Sequence, residues 1–167
     1  MLGIMSIRED RMISSQTLRA CELFEGLSDE ELQEIAKVAR EERHERGCVI
    51  FAEGGEAHTL YILQEGKIRL EHEICPQSDV CKEIAIVLDK RGQVFGWSAL
   101  VRPRRLTATA RCVGGVTLIA IEGSDLNDIM ERDSHIGFVV MKKLAEVIAS
   151  RLKEAKKLVG ERIMGIL

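Results

Sequence analysis

Between residues 43 and 122 the chain consists of short β-prone runs separated by glycine turns, and this pattern limits the fold more than any other feature. Glycines such as Gly54, Gly66 and Gly92 mark the turns. Such spacing is typical of an antiparallel barrel or roll, because tight turns join neighbouring strands. Apolar and charged residues alternate over 68–71, so we expect that strand to have one solvated face. The runs are 48–51, 60–63, 67–72, 83–88, 107–113 and 116–121.

Helical patterns flank this region on both sides. Ser28 and Glu31 have the spacing of a capping box, which predicts a helix start, and we expect the helical zone to reach about Glu42. After the strands, Asp133 is a candidate cap for a long helix over about 135–160. The predicted fold is therefore α+β. It is an antiparallel β-roll of the jelly-roll or double-stranded β-helix type, flanked by an N-terminal helix and a long C-terminal helix.

The predicted domain limits follow these zones. We expect an N-terminal extension over 1–22, one domain over 23–160 and a tail over 161–167, with the β-roll at about 43–122 and the C-terminal helices at about 124–160. A chain of 167 residues can bury a sufficient core without a disulfide or a metal. Lys and Arg number 24 and Asp and Glu 27, which gives a net charge of −3. Because basic and acidic residues are interleaved, we expect no DNA partner.

Membrane and metal functions find no support in the sequence. No apolar stretch is long enough to span a bilayer and the first residues do not read as a signal peptide, so we expect a cytoplasmic protein with no membrane partner. Four histidines lack ligand spacing, so we expect no metal site. Five cysteines at irregular spacing predict reduced thiols. The alternative for Cys75 and Cys81, which bracket a loop, is a redox pair.

One motif resembles a known binding site. The runs Val94–Val101 (VFGWSALV) and Pro103–Ala110 (PRRLTATA) resemble the phosphate-binding cassette of cyclic-nucleotide-binding domains. In that family the segment reads roughly Phe-Gly-Glu-x-Ala-Leu and then, after a gap, Arg-Ser/Thr-Ala. Residues 23–32 (LFEGLSDEEL) resemble the first helix of the same family, and 61–68 its central hairpin. The resemblance is to the catabolite activator type of effector domain without its DNA-binding winged helix, for which 161–167 leaves no room.

The resemblance implies a ligand site from which two charged residues are missing. In the family the Glu holds the ribose hydroxyl and the Arg pairs with the cyclic phosphate, but here Trp97 and Leu106 stand at those positions. Cyclic AMP and cyclic GMP are the candidate ligands, and we expect weak binding because ligand groups without partners are penalised. Backbone amides after Gly96 can still attract an anion. The candidate ligand-binding residues are Phe95, Gly96, Trp97, Ser98, Ala99, Arg104, Leu106, Thr107 and Ala108.

Two of these residues leave alternatives open. Arg104 shares a strand face with Leu106 and is the candidate replacement for the missing cation; otherwise it is a solvent-facing residue of the gap. Trp97 either stacks on a flat ligand or fills the space of the sugar. An open pocket with Arg104 turned inward would favour a sensor. A pocket closed by Trp97 would favour a protein that binds no nucleotide.

The predicted C-terminal helix carries a narrow apolar stripe. Its residues alternate spacings of four and three, as in a heptad seam. The stripe either packs on its own domain or pairs with a second copy. We favour the homodimer, because the small alanines suit close helix approach and the resembling family often dimerises through this helix. The seam consists of Met141, Ala145, Ile148, Leu152, Ala155 and Val159.

No catalytic motif accompanies these features. The chain contains no Ser-His-Asp order and no Walker-type phosphate loop, so we expect no enzyme activity. The predicted function is a non-catalytic sensor or regulatory module in signal transduction, which binds a small anionic ligand and acts on a protein partner that the sequence does not identify. The alternative is a degenerate domain that binds no nucleotide and serves as a homodimeric interaction scaffold.

Overall fold

The computed structural model describes residues 7–9, 12–75 and 81–164. Within these ranges the helices are α1 (Ser15–Leu18), α2 (Asp29–Ala36), α3 (Gly123–Arg132) and α4 (Ser134–Ile163), with a 3₁₀ turn at Trp97–Ala99. The strands are β1 (Ile7–Glu9), β2 (Ala39–His44), β3 (Val49–Phe51), β4 (Thr59–Glu65), β5 (Ile68–Ile74), β6 (Lys82–Leu88), β7 (Val94–Phe95), β8 (Thr109–Cys112) and β9 (Val116–Glu122).

The described strands form two antiparallel sheets. The first has the order β1-β2-β9-β4-β7 and the second the order β3-β8-β5-β6. The chain crosses between the sheets after β2, β3, β4, β6, β7 and β8, so sequence neighbours are often not sheet neighbours. Helices lie at both ends of this double sheet. The predicted α+β fold, a β-roll with flanking helices, is confirmed.

Two hydrophobic clusters hold the roll together. The larger one joins the first sheet to the helices, and the other fills the space between the sheets. Strand β9 contributes to both, because successive side chains of a strand point to opposite faces: Ile119 and Ile121 belong to the first cluster, and Leu118 belongs to the second. This central strand is therefore buried on both faces, and the helices are fixed directly to the first sheet.

The predicted caps of both helices are present. The Glu31 amide donates to Ser28 Oγ at 3.2 Å, and the Ser28 amide donates to Glu31 Oε2 at 2.8 Å. Asp133 accepts hydrogen bonds from the amides of His135 and Ile136 at the start of α4. Both helices thus begin where the sequence predicted, because each cap satisfies amides that have no partner within the helix.

The first helical zone is shorter than predicted. Helix α2 ends at Ala36, and 39–44, expected to be helical as far as Glu42, form strand β2. This segment lies between β1 and β9. Its charges pair along one strand face: Arg40 Nε lies 3.0 Å from Glu42 Oε1, and Arg40 Nη2 lies 2.9 Å from Glu122 Oε1. Long-range pairing overrides the helical pattern here.

The structure describes contacts at both ends of the chain, while the domain limits stay a prediction. The described parts of 1–22 belong to the domain, because β1 pairs with β2 and the buried residues Ile13, Leu18 and Cys21 join the larger cluster. At the other end, α4 continues past residue 160 to Ile163. Residues 165–167 of the predicted tail lie outside the described residues. None of the helices within the described ranges combines the length and the apolar character of a membrane span.

Candidate functional site

The cassette segment forms a tight turn fixed to the first sheet. Strand β7 pairs with β4, and Gly96 follows it with a φ of 76°. A Cβ atom at Gly96 would lie 2.7 Å from the carbonyl oxygen of Thr59, closer than real Cβ contacts allow, so only glycine fits without a shift of the backbone. The 3₁₀ turn closes when the Leu100 amide donates to the Trp97 carbonyl at 2.9 Å.

This turn borders a cavity of about 270 Å³. The volume is close to the lower end of the range of small-molecule sites. The cassette supplies seven lining residues, which are Phe95, Gly96, Trp97, Ser98, Leu106, Thr107 and Ala108. Strands β3, β5 and β6 of the second sheet supply Phe51, Leu70, His72 and Ile86. Helix α4 supplies Ile148, Arg151, Leu152 and Ala155. The site is thus an apolar space with few polar groups, bordered by the cassette, the second sheet and helix α4.

The structure brings most of the predicted ligand residues to this cavity. The exceptions are Ala99 and Arg104. Ala99 is 2% exposed and lies in a small cluster with Ala57 and Leu106. Across the cavity lining, His72 Nδ1 lies 2.9 Å from the Thr107 carbonyl oxygen, a contact that holds the cassette against strand β5.

Arg104 does not line the cavity. It is exposed and borders a separate surface depression together with Asp128 and Glu131. The expectation that it shares a strand face with Leu106 is wrong, because Arg104 has a φ of 57° and strand β8 begins only at Thr109. Strand alternation does not apply to a residue in the left-handed region.

Trp97 forms a wall of the cavity and leaves the space open. Its side chain is half-buried, packs against the larger cluster and contributes to the lining. The guanidinium carbon of Arg151 lies 6.0 Å from the centre of the indole ring. This distance allows a cation–π contact between the wall and helix α4.

Arg151 is a site residue that the sequence analysis missed. It is 9% exposed and follows Val140, Leu144 and Val147 on the face of α4 that packs against the domain. Its Nη2 lies 3.5 Å from Glu22 Oε1, and its buried Nη1 has no hydrogen-bond partner among the described residues. Burial lowers the pKa of Arg151, but a guanidinium keeps its charge in proteins. The continuation of this apolar stripe to an arginine was the signal that could have revealed it.

The predicted seam lies beside this inward face. Leu152 is 60% exposed and Ile148 is 38% exposed, whereas Met141 packs against the larger cluster. Phe138, three positions before Met141, extends the stripe and is 67% exposed. Ile148, Leu152 and Ala155 also line the cavity. The same apolar stripe therefore borders both the cavity and the outer surface of α4.

A chain of three polar side chains starts on strand β2 and ends at Cys48. His44 Nε2 lies 3.1 Å from Glu42 Oε2, and His44 Nδ1 lies 3.6 Å from Cys48 Sγ. The order of thiol, imidazole and carboxylate is that of an activated nucleophile. Burial, however, raises the pKa of the Cys48 thiol, whereas a nucleophilic thiol needs a lowered pKa and access. We interpret this network as structural.

The cysteines differ from the prediction in one respect. Cys75 and Cys81 form a disulfide, so the prediction of five reduced thiols is wrong for this pair. Strands β5 and β6 pair as far as Ile74 and Lys82, which brings the two cysteines together at the end of the hairpin. Glu73 is close to both sulfurs, but a metal ligand must be a thiolate. Whether the pair has a redox role stays a prediction.

Fold and site together define a ligand-binding β-roll domain in which a glycine turn and a long helix border one cavity. The sequence profile described as "Cyclic nucleotide-binding domain" matches residues 41–133, which is more than half of the chain. The chain belongs to the cyclic nucleotide-binding domain family.

Individual relatives agree with this assignment. A crystal structure from Geobacter metallireducens, named as a cyclic nucleotide-binding protein, is 33% identical with a TM-score of 0.70, over 84% of this chain and 99% of that one. The catabolite activator protein of Thermus thermophilus is 26% identical with a TM-score of 0.65, over 83% of this chain and 62% of that one. A cGMP-dependent protein kinase of Drosophila melanogaster is 28% identical over 70% of this chain. The chain spans 12% of the kinase's length.

Proposed function

We propose that this chain is a non-catalytic sensor module for signal transduction, which binds a small anionic ligand in the cavity and acts on a protein partner. The observation that carries the proposal is the cavity itself: cassette, strands and α4 meet around an open space of about 270 Å³. A ligand that contacts both the turn and α4 would favour one position of the helix over others. Such unequal affinity is what a ligand needs in order to change a conformational equilibrium.

Cyclic AMP and cyclic GMP are the first ligands to test, because the family and the names of its relatives indicate them. We expect both to bind weakly. The indole of Trp97 offers no acceptor for ribose hydroxyls, and Leu106 offers no charge for a phosphate. A buried ligand group without a partner costs about 1–3 kcal/mol of binding free energy.

The test is a titration of the full chain with each nucleotide, followed by calorimetry and by the fluorescence of its single tryptophan, Trp97. We expect saturable heat and a change in emission. Ala155→Phe fills the cavity and should abolish binding, whereas Ala149→Phe makes the same change at an exposed site of the same helix. Binding that survives Ala155→Phe would place the ligand elsewhere. No heat up to millimolar nucleotide would leave the homodimeric scaffold as the function.

We further propose that two copies pair through α4. Phe138 and Leu152 are large apolar side chains that are 67% and 60% exposed, and a partner helix would cover them. In this proposal the sensor works as a homodimer, so pairing and ligand binding belong to one function. A cytoplasmic location and the absence of DNA and membrane partners remain part of the proposal, supported by the interleaved charges of the sequence.

A further inference from the structure

Helix α4 contributes a cation, Arg151, to the cavity, whereas the cassette residues that line this cavity carry no positive charge. Arg151 and Leu106 both line that cavity, and Leu106 occupies the position of the family's phosphate-binding arginine. We propose that Arg151 binds the anionic group of a small phosphorylated ligand, so that the ligand's charge is held by α4 instead of the cassette. The inference rests on the proposed function, since it names the group within that site that recognises the ligand.

The contacts of Arg151 without a ligand are incomplete. A buried guanidinium needs both charge and hydrogen bonds from its surroundings. Its described partner, Glu22 Oε1, is 3.5 Å away and also accepts a 2.9 Å hydrogen bond from the Val94 amide. Nη1 has no hydrogen-bond partner among the described residues. Arg151 is therefore a buried cation whose binding capacity is only partly used.

The surroundings also indicate the kind of ligand. The cation lies beside the indole of Trp97, and the remaining lining is mostly apolar. An anion at Arg151 and a flat apolar group along Trp97 would use both features. A planar guanidinium recognises phosphate oxygens in pairs, which gives geometric specificity as well as binding energy. A nucleotide, in which one small molecule carries both a phosphate ester and an aromatic base, fits this arrangement.

The position of the cation has a consequence for signalling. Glu22 and the ligand's phosphate would compete for one guanidinium, so ligand binding would weaken the contact between Glu22 and α4. Because coupling is reciprocal, a partner that shifts α4 would change the ligand's affinity by the same factor by which the ligand changes the partner's affinity. Removing the competing carboxylate should then increase the affinity for the ligand.

The test compares cyclic AMP with neutral adenosine by calorimetry on the full chain. Arg151→Gln should lower the affinity for cyclic AMP about 10- to 100-fold, the loss expected for a charge-assisted hydrogen bond, and leave adenosine binding unchanged. Arg151→Lys should restore part of the affinity for cyclic AMP. Glu22→Gln should raise that affinity above the wild-type value. Lys153→Gln removes the same charge at an exposed position of α4 and should change neither ligand's binding.

The outcomes separate the two proposals. If the wild type binds cyclic AMP and Arg151→Gln binds it equally well, the role of Arg151 is refuted and the sensor function stands. An equal loss for cyclic AMP and adenosine would reduce Arg151 to a structural residue of α4 and would overturn the inference. If the wild type binds none of the probes, both proposals fail. If Arg151→Gln does not fold, the test passes to Glu22→Gln. An unchanged or lower affinity of Glu22→Gln for cyclic AMP overturns the inference about Arg151 and leaves the sensor function standing.

Discussion

Replacing Gly96 by alanine should destabilise the domain through two separable effects. The φ of 76° places an alanine in the left-handed region, at a cost of roughly 1–2 kcal/mol. The new Cβ would also lie 2.7 Å from the carbonyl oxygen of Thr59, and overpacking of this kind costs about 1–3 kcal/mol. Alanine also lowers the conformational entropy of the unfolded chain, which offsets about 0.4–1 kcal/mol of this destabilisation. The midpoints of these three ranges give an expected net loss of unfolding free energy of about 3 kcal/mol.

Two other glycines provide matched controls for this prediction. Gly54 has a φ of 81° but nothing within 4 Å of its Cβ position, so Gly54→Ala should show the backbone cost alone, about 1 kcal/mol. Gly115 has open space and no left-handed φ, so Gly115→Ala should be neutral or slightly stabilising. Urea unfolding followed by circular dichroism measures all three, and Gly96→Ala should also lower the Tm by roughly 5–15 °C. Equal losses for Gly96→Ala and Gly54→Ala would refute the clash with Thr59.

Three further predictions concern the ligand, the pH dependence and the assembly. Leu106→Arg should raise the affinity for cyclic AMP about tenfold or more by calorimetry; unchanged affinity would contradict the correspondence of Leu106 with the family's arginine. Burial raises the pKa of Glu42, but the contacts with His44 and Arg40 outweigh it and lower that pKa. Ionised Glu42 therefore stabilises the fold at neutral pH, and this contribution is lost as pH falls through the lowered pKa; Glu42→Gln should be less stable at pH 7 and should flatten the stability profile in acid. If two copies pair through α4 as proposed, the wild type should sediment as a dimer and Phe138→Glu as a monomer in sedimentation velocity; a monomeric wild type at micromolar concentration would contradict the pairing.

The roll could be predicted from the sequence because its strands are local patterns with glycine turns between them. Strand β2 could not, since Arg40, Glu41, Glu42 and Arg43 carry no apolar alternation. Its extended conformation depends on pairing with β9, whose partner residues lie about 80 positions away in the chain. Local patterns do not contain that information, because tertiary pairing overrides local propensity.

Most of the cavity lining that comes from the continuous cassette motif was predictable, although Ala99 and Arg104 of that motif lie elsewhere, and the part that depends on the rotation of α4 was missed. The cassette residues could be named from their order in the chain. Arg151 could not, because α4 carries two apolar stripes with spacings of three and four, one through Leu144 and Val147 and the other through Ala145 and Ile148. Packing against the roll selects the first stripe as the inward face. That selection brings Arg151 to the cavity and leaves Leu152 on its rim.

Glu22 gives the segment before the roll a part in the design of the site. Its Oε1 accepts from the Val94 amide and from Arg151, so one carboxylate joins three distant stretches of the chain. Both Glu22 and Arg151 lie outside residues 41–133, the part that the family profile matches. A chimera that carried only residues 41–133 would keep most residues that line the cavity and would lose the charges of Glu22 and Arg151. In the proposal above, the cation that binds the ligand and the carboxylate that competes for it both lie outside this matched segment, so ligand preference can change without a change in the roll.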